Sequence, residues 1–221
     1  MRPGMMFEMI GYLAEAIEAR RAEPRDDLIS MLVTGAEPLD AQEILMFTVL
    51  LLIAGNETTT SLVGNGMLAL WANPEQQELL EHDVALVPSF VEEALRYDPP
   101  VQALSRQATT EVDVGGVTID AGARVYVLYA SANRDATHFD RPDELVIDRE
   151  PGDHIAFGNG IHFCLGAALA RLEGQVAYET LLGRARSIRP AGPMVRKPTP
   201  PHPGPALLRG VASLPVVIEA R

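Results

Sequence analysis

Phe157-Gly158-Asn159-Gly160-Ile161-His162-Phe163-Cys164-Leu165-Gly166 is the stretch from which the rest of the chain can be read. Cys164 is the sole cysteine among 221 residues. It follows a glycine-rich loop and precedes Ala167-Ala168-Leu169-Ala170-Arg171-Leu172-Glu173, strong helix formers with apolar residues at helical spacing. A thiol at a helix N-terminus meets unpaired backbone N–H groups and the positive end of the helix dipole. Both favour the thiolate, so the position suits a metal ligand or a nucleophile. Gly158, Gly160 and Gly166 let the backbone pass close to something bulky and flat. His162 would lie on the same side as the sulfur in an extended loop and could hold an anionic group there. A buried structural cysteine beside a glycine turn is the plainer alternative.

Working outward, a second unusual segment is Ala54-Gly55-Asn56-Glu57-Thr58-Thr59-Thr60. It sits inside a predicted helix that starts at the capping box Asp40-Ala41-Gln42-Glu43 and runs about thirty residues to Trp71, before Asn73-Pro74. The first half of that helix is apolar on nearly every side, which predicts an interior position. Glycine costs about 1 kcal/mol in a helix interior, and a buried carboxylate costs more unless paired. Ala54 and Gly55 would open space against the helix, with an acid and a hydroxyl, Glu57 and Thr58, beside it. Thr58 can bond back to the Ala54 carbonyl. A kink with a solvated polar patch is the bland alternative.

Other elements follow from periodicity and punctuation. Met5 to Arg21 is an amphipathic helix, and residues 27 to 33 form a short one ended at Thr34-Gly35. Pro74 to Asp83 and Leu86 to Tyr97 are helices, the latter stopped by Asp98-Pro99-Pro100. Glu93 and Arg96 share a helix face, normally a surface pair contributing a few tenths of a kcal/mol. Val101 to Thr109 is extended and contains Arg106, by itself a solvated strand arginine. Val112 to Ile119 is a hairpin turning at glycines, and 124 to 128 is the next strand. A short helical connection begins at Ala130, and 140 to 156 is a loop with few apolar anchors. The Cys164 helix should reach about Arg184. Arg189 to Pro205, with seven prolines, reads as extended and polyproline-like, before terminal strands near 207 to 210 and 213 to 218.

Together, F-x-x-G-x-H-x-C-x-G, A-G-x-E-T and E-x-x-R followed by D-P-P resemble the signatures of the cytochrome P-450 family, haem-thiolate monooxygenases. The resemblance covers essentially the whole chain but only the C-terminal half of a full member, and the bacterial soluble type is the match. It implies a mainly α fold with small β-sheets (α+β), in one domain over 1–221, with a long central helix and a Cys-ligand loop. It implies that Cys164 is the axial ligand of haem b, that Glu57 and Thr58 relay protons, and that Ala54, Gly55, Phe157, Gly158 and Gly166 line the cofactor. Arg106 and His162 match partners of the haem propionates. Glu93 and Arg96 match a buried brace of the ligand loop. A further arginine usually completes that brace; Glu144 stands where it is common, leaving Arg141 or Arg134 as substitutes. Implied partners are O2, a small organic substrate and a ferredoxin- or flavodoxin-type electron donor. Two other readings remain: a catalytically inert remnant, haem-binding or merely folded, and a cysteine hydrolase with His162 as base.

Composition narrows the field. At 47% hydrophobic the chain can bury a core without disulfides. Eighteen basic against thirty acidic residues give a net charge of −12 with no basic run, against a nucleic-acid partner. His82, His138, His154, His162 and His202 are too dispersed for a structural zinc site. No signal peptide is visible at Met1-Arg2-Pro3, and the longest apolar run, Ile44 to Ala54, is too short for a bilayer, so a soluble cytoplasmic protein is expected.

Overall fold

Helix α1 (Pro3–Ala22) and helix α2 (Leu28–Thr34) open the chain, joined by a tight connection that their caps explain. Asp27 caps α2, accepting from the Ser30 amide at 2.9 Å, and Arg20 near the end of α1 pairs with the same carboxylate. Here and below, the computed structural model describes residues 3–35, 39–150, 153–198 and 206–221. The chain divides into two compact units, Met1–Glu57 and Thr58–Arg221.

Helix α3 (Ala41–Ala72) is continuous through both sequence signals that defined it. Its capping box is reciprocal: the Glu43 amide donates to Asp40 at 2.8 Å, and the Asp40 amide donates to Glu43 at 2.9 Å. The predicted burial of its first half is not found. Met46, Leu50, Leu52 and Ile53 are exposed, Leu50 at 59%, while Ile44 is buried. A helix apolar on every side needs cover on every side, and the first unit offers only two other helices. The C-terminal half, in the second unit, is core: Leu62, Met67, Ala69 and Leu70 are buried. By length and apolar composition α3 is also long enough to cross a bilayer. It carries Asn56, Glu57 and Asn65 along its length, and only its C-terminal half, with Leu62 and Leu70, lies in the core.

The second unit continues with α4 (Pro74–His82), a 3-10 turn at Val84–Leu86, and α5 (Val87–Tyr97). Strand β1 (Val101–Gln107) is the centre of a three-stranded antiparallel sheet, between β4 (Arg124–Val127) and β7 (Ala206–Leu208). The predicted hairpin is β2 (Val112–Val114) with β3 (Val117–Ile119). Its turn residues Gly115 and Gly116 have φ of 61° and 80°, as a two-residue primed turn demands. After α6 (Tyr129–Ala132) an irregular segment leads to the Cys164 loop and α7 (Ala167–Arg184). That segment is better anchored than its sequence suggests, since Leu145, Val146 and Ile147 are buried.

The described part of the proline-rich region, residues 189–198, contributes paired strands rather than a polyproline-like segment. Strand β5 (Ala185–Pro190) pairs with β9 (Val216–Ala220), and β6 (Val195–Arg196) with β8 (Val211–Ser213); residues 199–205 lie outside the described residues. The core of this unit gathers α3, α5 and α7 around Phe90 and Tyr178, whose rings meet edge to face at 4.8 Å. Tyr178 donates to the Val63 carbonyl at 2.8 Å, and burial pushes its phenol well above the ordinary range. Gly66 is obligatory at this crossing: a Cβ there would lie 2.2 Å from the Tyr178 hydroxyl. A buried polar knot fastens the terminal strands to α3. Asn65 donates to the carbonyls of Asp98 and Arg209 at 3.1 and 3.2 Å and accepts from Arg196 at 2.7 Å; Arg196 and Arg209 both pair with Asp98.

Candidate active site

The loop before α7 is a closed turn. The Cys164 amide donates to the Phe157 carbonyl at 2.9 Å. Between them Gly160–His162 form a 3-10 turn, capped by Asn159, whose side chain accepts from the Gly160 amide at 2.7 Å. Gly158 and Gly160 hold φ of 75° and 64°, which side chains disfavour. The extended conformation expected for His162 is therefore replaced by a turn, because the two left-handed glycines and the Asn159 cap reverse the chain. Cys164 is exposed, as are Ile161, Phe163 and Leu165, with Ile161 at 97% and Leu165 at 80%. Exposed apolar residues thus stand on both sides of Cys164 in sequence.

Cys164 lies two residues before Gly166, the N-cap of α7, and the Ala167 amide donates to its carbonyl at 3.2 Å. Gly166 brings no side-chain cap to α7. The positive end of α7 accordingly points back toward the loop.

Two ion clusters pin this loop to α5. Glu93 and Arg96 are 3% and 1% exposed and form a two-pronged pair, at 2.7 and 2.8 Å. Arg96 also donates to the carbonyls of Asn133, Pro142 and Glu144. The third member is Arg149, not Arg141 or Arg134: its Nε lies 3.2 Å from Glu93, and it donates to the carbonyls of Asp140 and Arg141. Glu144 joins the network through its backbone carbonyl, while its side chain pairs with Arg141 at 3.4 Å. Arg141 takes φ 45°, and the donations to its carbonyl and to that of Pro142 hold this unfavourable geometry. Arg134 stacks over Tyr97 at 4.3 Å and caps α5 at the Tyr97 carbonyl. Buried Asn133 relays the brace onward by accepting from the Ile155 amide at 2.8 Å, two residues before Phe157.

Glu92, adjacent to Glu93, anchors the second cluster, which sequence reading missed. Arg171 of α7 grips it with two bonds of 2.7 and 2.9 Å, and His154 Nε2 lies 3.1 Å away. The Ala156 amide donates to His154 Nδ1 at 3.3 Å, so Nε2 carries the proton given to Glu92. Burial works against ionisation of Glu92, but hydrogen bonds from His154 and Arg171 outweigh it and hold the carboxyl at about 2 rather than 4.5. A carboxyl lowered on folding stabilises above its unfolded value and loses that contribution as pH falls toward the folded value. The midpoint gap between wild type and Glu92→Gln in denaturant should therefore be widest near neutrality and close between about pH 4.5 and about pH 2. Denaturant titrations across that range check it; a gap independent of pH would contradict it.

The remaining expected site residues are placed as follows. Arg106 is half-buried on β1 and donates to the Ser105 carbonyl at 3.0 Å. Ala54, Gly55 and Glu57 end the first unit and Thr58 begins the second, all on uninterrupted α3. A Cβ on Gly55 would meet nothing within 4 Å. Among the described residues no three His, Cys, Asp or Glu side chains cluster to hold a metal ion.

Comparison with known proteins bears on this geometry. The family model for cytochrome P450 matches residues 82–192, from the end of α4 through β5. A biotin biosynthesis cytochrome P450 of Bacillus subtilis is 44% identical over 186 residues, which are 83% of this chain and 47% of that protein. A vitamin D(3) 25-hydroxylase of Pseudonocardia autotrophica is 43% identical, over 98% of this chain and 54% of that one. Among solved structures, P450BioI in complex with a hexadec-9Z-enoic acid-ligated acyl carrier protein superposes with a TM-score of 0.89 at 41% identity, covering 97% of this chain and 55% of the other. CYP109Q5 from Chondromyces apiculatus superposes equally, at 0.89 and 43% identity, over 98% and 55%. The chain spans about half the length of the curated relatives it matches.

Proposed function

The chain belongs to the cytochrome P450 family, and from that premise we propose that it forms the C-terminal half of a haem-thiolate monooxygenase domain that inserts one atom of O2 into a small organic substrate. The observation that carries this reading is the Cys164 turn. One exposed thiol, on a loop freed by Gly158 and Gly160 and with exposed Ile161, Phe163 and Leu165 beside it in sequence, would suit holding the iron of a flat apolar macrocycle. Haem b is the group proposed; when bound, it supplies the oxygen-activating chemistry, with electron donation from a thiolate favouring O–O cleavage.

The chain's own residues have separate tasks in this proposal. Cys164, two residues before the N-cap of α7, would hold the haem iron. The Glu93–Arg96–Arg149 brace holds the turn, and Phe157, Gly158 and Gly166 let the backbone lie close to the macrocycle. Arg106 and His162 would donate hydrogen bonds to its carboxylates. On α3, Ala54 and Gly55 leave room for O2, the Thr58 hydroxyl donates a proton, and Glu57 replenishes it. Electrons would come from a ferredoxin- or flavodoxin-type protein in the cytoplasm.

Thr58→Ala tests the proton task. Haem binding should be retained, while product formed per electron consumed falls roughly tenfold or more, the difference appearing as hydrogen peroxide or water. Unchanged yield per electron would remove Thr58 from the relay. A second reading is favoured by the exposed apolar residues of α3, Met46, Leu50, Leu52 and Ile53: the chain binds haem, or merely folds, and is inert without further polypeptide. Product from the chain alone, supplied with haem and an electron donor, decides between the two.

A further inference from the structure

We propose that Glu92 is a positioning residue for Cys164: by gripping Arg171 and His154 against Phe157, it fixes the turn that presents the sulfur. The links are short and continuous. Glu92 takes two bonds from Arg171, at 2.7 and 2.9 Å, and one from His154 at 3.1 Å. The Arg171 guanidinium lies over the Phe157 ring, 4.6 Å from its centroid, and the His154 ring is 6.1 Å from the same centroid. Phe157 in turn touches the cysteine segment twice. Its carbonyl accepts the Cys164 amide at 2.9 Å, and its ring faces that of Phe163 at 6.3 Å.

One carboxylate on α5 therefore ties together the strand of chain entering the turn, the ring at its base and the helix leaving it. Among the described residues, the Glu93–Arg96 brace reaches the same turn through Asn133 and Ile155. Arg171 holds its proton more tightly than an ordinary arginine, first through the hydrogen bond to Glu92 and also through the charge of Cys164, so guanidinium and sulfur share one electrostatic neighbourhood. A planar, two-pronged group is required at 171, because it must donate a forked pair from its edge to Glu92 and lie flat on an aromatic ring. Lysine keeps the charge and loses both features.

The haem part of this proposal rests on Cys164 as the haem ligand; the geometric part does not. Hydrogen–deuterium exchange on the chain without haem tests the geometry, comparing wild type, Glu92→Gln and Arg171→Lys. The amides of Phe163 and Cys164 should exchange about tenfold faster in both variants, with those of α4 and β1 unchanged. Unchanged protection at Cys164 in both variants, or acceleration of every segment alike, would overturn the proposal. Arg171 is the more exposed partner, so Arg171→Lys keeps the test open if Glu92→Gln fails to fold. With haem supplied, both variants should show a smaller fraction of the thiolate-type carbon-monoxide spectrum than wild type. If wild type itself shows none, the haem reading fails and the exchange result alone decides the clamp.

Discussion

Arg96→Ala is expected to cost about 3–5 kcal/mol, a large share of the stability of a domain that has only about 5–15 kcal/mol in all. The side chain has five N–H donors, and all five are used: two on Glu93 and three on the carbonyls of Asn133, Pro142 and Glu144. Removing it leaves Glu93, 3% exposed, with Arg149 as its remaining cation and three inward-facing carbonyls without that donor. The same guanidinium lies 5.4 Å from the centre of the Phe139 ring, so alanine also leaves a void. Arg96→Lys should rescue little, since three donors on a point charge cannot replace a planar fork. Denaturant midpoints measure the effect. A loss under about 1 kcal/mol would mean that the brace contributes nothing net, as some buried ion pairs do.

Cys164→Ala is expected to do the opposite: abolish function-related spectra and leave the fold alone. The thiol is exposed, and the turn is closed by backbone, the Cys164 amide on the Phe157 carbonyl, which alanine keeps. Stability should change by no more than about 0.5 kcal/mol. The thiolate-type signature of the haem-loaded, reduced, carbon-monoxide-bound chain should vanish completely. Retention of that signature would remove the sulfur from the site. The two substitutions thus separate the brace, which acts on folding, from the ligand, which acts on chemistry.

What could be read from sequence was what depends on neighbours along the chain. The Asp40–Glu43 box, the Gly115-Gly116 turn, the stop at Asn73-Pro74 and the reach of the last helix to Arg184 are local rules, and each fixed its element. The Cys164 loop was picked out for the same reason, but it was read as extended, because its 3-10 turn depends on two positive φ values that a glycine permits but does not announce. Contacts far apart in sequence were not legible. Arg149 was passed over for Arg141 because the segment has no periodicity from which to place it. Glu92 meets residues 62 and 79 positions away, and no spacing rule joins them. The exposed first half of α3 was misread because apolar pattern states a need for cover, not its presence.

The most direct measurement is the absorption spectrum of the purified chain, supplied with haem, reduced and exposed to carbon monoxide. A red-shifted Soret band of the thiolate type is expected, showing that these 221 residues build the Cys164 site themselves. A folded chain that gives no such band would contradict the assignment of this chain as a working haem-thiolate centre.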